Sequence, residues 1–238
     1  MSTVSRAVVL AAGRGTRMMP LTANCPKPLL PVAGQPILER ILRGLRKAGI
    51  TDAVIVHGYR KEMIEDYFGD GARVAMRLRY RAQDPPNGTA GALLQVEDLC
   101  GDAPFVLHWG DILISPSNYP AVLADFHTTP PPAIVEGLNW MDDPSAGAAV
   151  YRGDGNRVTR IIEKPAPGTS TTNWNNAGVF VLSPRIWPYV KQVTPSPRGE
   201  LEFTDVLPMM IRDGEYVLGH ELTGLWSDVG TPQILEAL

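Results

Sequence analysis

Strand-length apolar runs alternate with helix-periodic segments through the first half of this 238-residue chain, and few folds accommodate that order. Strand, helix, strand in repetition is the pattern of a parallel sheet covered by helices. Residues 6–12 read as the first strand. Residues 36–48 read as a helix with Pro36 in its first turn, Leu38, Ile41, Leu42 and Leu45 on one face, and Gly49 at its end. Strands at 53–56 and 74–80 flank a helix at 61–68 that stops at Gly69. The turn Pro85-Pro86-Asn87-Gly88 opens a helix at 88–96, and a buried strand at 105–109 ends in Gly110-Asp111. Extended segments follow at 133–138, 148–151, 158–162 and 178–182, then a helix at about 201–212 and a last strand at 216–220. The expected fold is α/β: a Rossmann-like, doubly wound, mixed but mainly parallel sheet flanked by helices. One catalytic domain is expected over 1–238, with its ligand at the carboxyl ends of the strands. Pro130-Pro131-Pro132 reads as a connector, since neither side has the composition of a linker.

Composition removes several classes. With 44% hydrophobic residues there is material for one good core, and a net charge of −3 offers no basic field for a nucleic-acid backbone, so no nucleic-acid partner is expected. Cys25 and Cys100 are too sparse for a disulfide framework and read as reduced thiols of a cytoplasmic protein. The apolar run at 7–12 is far shorter than the roughly 20 residues a membrane span needs, so it is a buried strand and no membrane partner is expected. The four histidines, His57, His108, His127 and His220, lack ligand-like or triad spacing, and His108 is expected to be a strand residue under the site.

The run Leu10-Ala11-Ala12-Gly13-Arg14-Gly15-Thr16-Arg17-Met18 follows the first strand directly. Its glycines let main-chain amides approach a phosphate closely. A dinucleotide fingerprint would need a third glycine where Met18 stands, and a P-loop would need the absent Gly-Lys-Ser/Thr ending. Lys27 stands between Pro26 and Pro28, and the spacing predicts an extended, stiffened backbone there. Together Arg17 and Lys27 could neutralise a leaving pyrophosphate.

These residues carry a resemblance. The stretch at 10–37, from Leu-Ala-Ala-Gly-Arg-Gly-Thr-Arg-Met through Pro-Lys-Pro-Leu-Leu-Pro-Val to Gly-Gln-Pro-Ile, closely resembles the nucleotide-binding segment of the sugar-phosphate nucleotidyltransferase family, and the likeness continues along nearly the whole chain. It implies transfer of a nucleotidyl group from an NTP to a sugar 1-phosphate, giving an NDP-sugar and pyrophosphate. About 1–115 would bind the nucleotide and about 116–238 the sugar phosphate. Leu10, Ala11, Ala12, Gly13, Gly15 and Thr16 would line the nucleotide, with Gln83, Gly88 and Thr89 near its base. Asp111, after Gly110, and Asp228, in Trp226-Ser227-Asp228-Val229-Gly230-Thr231-Pro232, match the aspartates that hold Mg²⁺. Lys164, in Glu163-Lys164-Pro165, would contact the sugar phosphate and Glu163 the sugar hydroxyls; its place before a proline predicts a backbone stiffened like that at Lys27. Gly147, Asn176 and Glu202 match positions lining the sugar pocket. The Gln83 amide, which can both donate and accept, favours UTP or dTTP. Guanylyl transfer to mannose or heptose 1-phosphate and cytidylyl transfer stay open, as do a catalytically silent, nucleotide-sugar-binding regulatory paralogue and a homodimer. The chain stops six residues after Pro232, which argues against a helical tail or β-helical extension and the control and assembly these would bring.

Overall fold

The computed structural model describes residues 3–238. In the first half, strand β1 (Arg6–Ala11) leads through an irregular loop to the two-residue strands β2 (Pro31–Val32) and β3 (Gln35–Pro36) and helix α1 (Ile37–Lys47). Then come β4 (Asp52–His57), α2 (Lys61–Phe68), β5 (Arg77–Ala82), α3 (Thr89–Leu94), α4 (Glu97–Cys100), β6 (Phe105–Trp109), β7 (Ile112–Ile114) and α5 (Asn118–Asp125). The second half holds β8 (Ile134–Trp140), β9 (Ala148–Arg152), β10 (Val158–Glu163), β11 (Trp174–Leu182), α6 (Trp187–Val190), α7 (Val206–Arg212), β12 (Val217–Glu221), β13 (Trp226–Asp228) and α8 (Pro232–Glu236).

One nine-stranded sheet organises the molecule, with the order β5-β4-β1-β6-β11 continuing to β9-β10 and branching at β11 to β8-β12. β1 pairs in parallel with β4 and β6, and β4 with β5. β11 runs against β6, β8 and β9, and β10 against β9, while β12 is parallel to β8. Only β10 and β11 therefore oppose the common direction, and the mixed, mainly parallel sheet expected from the sequence is present. Apolar layers cover both faces. Ile37, Leu38, Ile41, Leu42 and Leu45 of α1 pack with Ile64, Tyr119 and Val122 on one face. Ala92, Leu93, Trp187, Val206, Leu207 and Met210 pack on the other.

Several boundaries moved for physical reasons. Residues 72–74 form a 3₁₀ turn, so β5 begins at Arg77 rather than 74. Leu201 is not helical, because its N–H donates to Asn87 O and its carbonyl accepts from Ala90 N, both at 2.8 Å; the helix expected from 201 begins only at Val206, after a 3₁₀ turn. β11 starts at Trp174, earlier than expected, and bulges between Asn176 and Phe180. Its Gly178 has φ +73, and a Cβ there would stand 3.0 Å from Ile112 and 3.2 Å from Trp109.

Candidate active site

The carboxyl ends of β1 and β6 lie side by side, and the main chain there is approached unusually closely. A Cβ at Gly110 would stand 2.7 Å from Leu10 O, and one at Gly58 would stand 2.8 Å from Ala12 O. Only glycine fits at either flank of the loop that follows β1. Past that end, Ala12, Gly13, Arg14, Gly15 and Thr16 run through the surface, with φ +63 at Gly15, and residues 16–18 form a 3₁₀ turn. No Cβ contact restricts Gly13, which leaves open space beside its backbone.

Four charged side chains meet just beyond. Asp111 follows β6, and the pairing of β13 against β7 sets Asp228 opposite Ile112, bringing two distant carboxylates together. Lys27 is buried, and its Nζ donates to Asp111 Oδ2 at 2.7 Å and stands 4.0 Å from Asp228 Oδ1. Arg17 Nη1 lies against Gly230, beside the Asp228 carboxylate. Burial, and then the Asp111 charge, raise the Asp228 carboxyl above its ordinary value, opposed by Lys27 and Arg17. The extended backbone expected at Lys27 is not found: residues 27–29 form a 3₁₀ turn entered through an extended Pro26. The turn holds the lysine stem against Gly15, where a Cβ would be 3.1 Å from Lys27 Cβ.

Asp111 and Asp228 offer a hard-oxygen pair for a cation, and Asp228 Oδ1 is buried with no hydrogen-bond partner. Such a pair suits magnesium, which takes one or two carboxylates and completes its shell with phosphate oxygens and water. Among the described residues no group of three or more His, Cys, Asp or Glu side chains could enclose a metal alone, so the donor set fits an ion that arrives with a phosphate.

From this cluster a cleft of about 490 Å³ extends toward β9–β11, lined by Arg17, Thr89, Trp109, Gly147, Asn176 and Glu202 among others. Glu163 also faces it; burial raises its carboxyl despite a hydrogen bond from Thr204 and the nearby Lys164 charge. Glu202 accepts from Arg198 Nη2 at 2.6 Å and is likewise raised by burial. Asn176 Oδ1 accepts from Gly178 N at 2.8 Å, which shapes the bulge. Thr89 Oγ1 accepts from Phe203 N at 2.8 Å, tying the start of α3 to the strip that carries Glu202.

Besides Lys27, two further sequence-predicted residues stand differently from expectation. Lys164 is exposed, outside the cleft lining, with φ +43 instead of the extended backbone that a following proline imposes; its N–H donates to Gly147 O at 2.8 Å, which fixes that turn. Gln83 is buried, and its amide N–H groups donate to Asn87 Oδ1 at 2.9 Å and Gly88 O at 2.8 Å, so only its carbonyl is left for a ligand. Gly88 itself, at φ +100, is required because a Cβ would lie 2.4 Å from Leu201 O.

Some site residues escaped the sequence reading. Asn175 is buried, accepts from Ala148 N at 2.9 Å and donates to Asn139 Oδ1 at 2.9 Å; a Cβ at Gly147 would strike its Oδ1 at 2.1 Å, which explains that glycine. The doubled asparagine was a usable signal. Trp109 and Trp226 also line the cleft; Trp109 packs on Phe180 and Phe203, and Trp226 Nε1 donates to Ala177 O at 3.1 Å. His108 lies under the site as expected. It is fully buried, lowered to about 4 by desolvation, and bonded through Nδ1 to Trp109 O, with the Tyr119 hydroxyl on Nε2. Cys25 and Cys100 are free thiols, and no helix is long and apolar enough to cross a membrane among the described residues.

Comparison with known proteins identifies the family and the fold. The family model described as nucleotidyl transferase matches residues 6–237. The low-salt glycan biosynthesis nucleotidyltransferase Agl11 of Haloferax volcanii is 34% identical over 234 residues, covering 98% of this chain and 64% of its own length. The glucose-1-phosphate thymidylyltransferase of Streptomyces griseus is 35% identical over 225 residues, covering 94% of this chain and 62% of its own. The chain thus spans just under two thirds of these curated relatives. A crystal structure of UDP-glucose pyrophosphorylase with UDP-glucose superposes with a TM-score of 0.88 at 23% identity, over 98% of this chain and 96% of that one, and it shares the fold.

Proposed function

The chain belongs to the nucleotidyl transferase family, and on that footing we propose that it transfers a nucleotidyl group from an NTP to a sugar 1-phosphate, releasing pyrophosphate. The observation that carries the proposal is the meeting of Arg17, Lys27, Asp111 and Asp228 at one end of a cleft whose other end holds Glu163, Asn176 and Glu202. Charge stands where phosphates would lie, and hydrogen-bonding groups stand where hydroxyls would lie. About 1–115 supplies the nucleotide side and about 116–238 the sugar-phosphate side.

A sugar-phosphate oxygen is already an anionic nucleophile, so the chain needs no general base. That oxygen attacks the α-phosphorus, a P–O bond forms, and the bond to the β-phosphate oxygen breaks with its electron pair leaving on pyrophosphate. The protein contributes position and charge. Arg17 neutralises the departing pyrophosphate. Lys27, held on Asp111, keeps the two carboxylates from repelling the phosphates and completes the positive side of the site. Lys164 steers the sugar phosphate from the rim. A magnesium ion held by Asp111 and Asp228 with phosphate oxygens would supply further charge neutralisation. Leu10, Ala11, Ala12, Gly13, Gly15 and Thr16 form the wall along which the triphosphate lies, and Gly88 and Thr89 stand with Gln83 beside the base.

The remaining Gln83 carbonyl accepts an imino N–H, which favours UTP or dTTP; GTP is the rival, since guanine also offers such a donor. Pyrophosphate release, measured with Mg²⁺ over five NTPs against glucose, N-acetylglucosamine, mannose, N-acetylmuramic acid and heptose 1-phosphates, should light one cell with a uridine or thymidine nucleotide. A dark grid with NTP binding intact would replace this reading with that of a silent nucleotide-sugar-binding paralogue.

A further inference from the structure

The loop after Gly15 is braced from behind by two residues outside the cleft. Tyr59 and Arg60 leave the end of β4, the neighbour of β1. The Tyr59 hydroxyl is directed at the carbonyls of Ala23 and Thr22, at 3.0 and 3.2 Å. Arg60 Nη2 donates to Ala23 O at 3.0 Å and to Asn24 Oδ1 at 3.2 Å, and its Nε donates to the Tyr59 hydroxyl at 3.0 Å. The brace passes inward through Thr22, which is buried and whose Oγ1 donates to Gly15 O at 2.8 Å. Gly15 O also accepts from Met18 N at 2.9 Å, closing the turn that carries Arg17.

The backbone at Arg60 strengthens the point. Its φ is +50, a left-handed conformation that side chains other than glycine rarely adopt, and the residue is exposed, so core packing does not require an arginine here. Glycine would relieve the backbone but could not supply the guanidinium that holds Ala23 and Asn24. Without these contacts the carbonyls of 22 and 23 would turn to water. The stretch from 13 to 26, which contains no strand or α-helix, would then rest on its own turns and on the burial of Met18 and Thr22.

We propose that Tyr59 and Arg60 are positioning residues for the nucleotide: by clamping residues 22–24 they hold Gly15 and, through its turn, Arg17 in the geometry that receives the triphosphate. The inference rests on the nucleotidyl-transfer reading for its ligand, but the clamp can be tested without it. Arg60→Gly is the decisive variant, because it removes the side chain while suiting the positive φ, so the fold should survive. Hydrogen exchange of amides 16–24 should accelerate by about tenfold, and KM for the NTP should rise by roughly five- to tenfold with KM for the sugar phosphate within about twofold. Arg60→Lys, which keeps the charge and a single donor nitrogen, should recover part of the loss, and Tyr59→Phe should give a smaller effect of the same kind. Unchanged exchange and unchanged NTP KM in Arg60→Gly would overturn the proposal, as would an equal rise in both KM values. If the unaltered protein bound no NTP, the functional reading would fall, whereas faster loop exchange in the variant would still support the clamp and unchanged exchange would still refute it.

Discussion

The parallel half of the sheet, β5-β4-β1-β6, meets the cleft with main-chain amides, glycines and full charges, whereas the branched half, β8 to β12, meets it with half-buried acids and amides. In the first half Gly58 and Gly110 let neighbouring chains close on the end of β1, and Lys27 is held by an ion pair. In the second, burial raises Glu163 and Glu202, so each carboxyl lies closer to its neutral form than a solvated glutamate would. The difference is the one that the proposed ligands, phosphates on one side and a sugar on the other, would require. Phosphates demand fixed charge, while hydroxyls are served by groups that hydrogen-bond without a strong field.

The comparison can be broken most severely at the charged end. Asp228→Ala, or removal of divalent cation with a chelator, should lower turnover by on the order of 10²–10³ in a pyrophosphate-release assay. Unimpaired turnover in either case would sink the assignment of the aspartates. At the join between the halves, Gly88→Ala forces a Cβ into the Leu201 backbone at an unfavourable φ. It should cost about 2–4 kcal/mol, read as a lower midpoint in denaturant.

At the uncharged end, Glu163→Gln should raise KM for the sugar phosphate by about 3–10-fold and leave KM for the nucleotide unchanged. Because the Glu163 carboxyl is raised, sugar-phosphate binding by the unaltered protein should weaken on acidification at a higher pH than an ordinary glutamate would give. The variant should lose that acid limb. A last effect, on stability rather than on binding, concerns Glu136 of β8, which is fully buried, has neither oxygen partnered and is pushed up to about 8 by desolvation. Its folded-state value lies above its unfolded one, so its contribution is fully present below about pH 4.5 and lost as pH rises through about 8. Glu136→Gln should flatten the fall in melting temperature across that window, and Glu136→Val should raise the melting temperature by roughly 3–8 °C at pH 8.5. An unchanged slope would show that the carboxyl reaches a partner.

The two halves also differed in legibility. β1, β4 and β6 were visible in the sequence because a strand buried on both faces is a continuous apolar run, whereas the edge strand β5, Arg-Leu-Arg-Tyr-Arg-Ala, has no such run and was expected to start three residues early. The glycine loop and Lys27 were visible because glycine and proline constrain their neighbours directly. In the branched half the signals thinned. Outside the nine-stranded sheet, β7 and β13 are three residues long, too short for periodicity to register, yet their pairing is what joins Asp228 to Asp111. The extended backbone expected before Pro165 gave way at Lys164 because its N–H is claimed by Gly147 O.

What the sequence determined by itself is local: which runs become strands, where glycine must stand for the chain to turn, and which residue types are available for phosphate chemistry. The tertiary structure decided what is relational: that Lys27 sits between two aspartates, that the Gln83 amide N–H groups are spent on its own turn, and that Asn175 rather than a cleft ligand dictates Gly147. The physical reason is range. Backbone sterics and hydrophobic periodicity act over a few residues, while ion pairs and buried hydrogen bonds depend on groups that meet only when distant strands take their register.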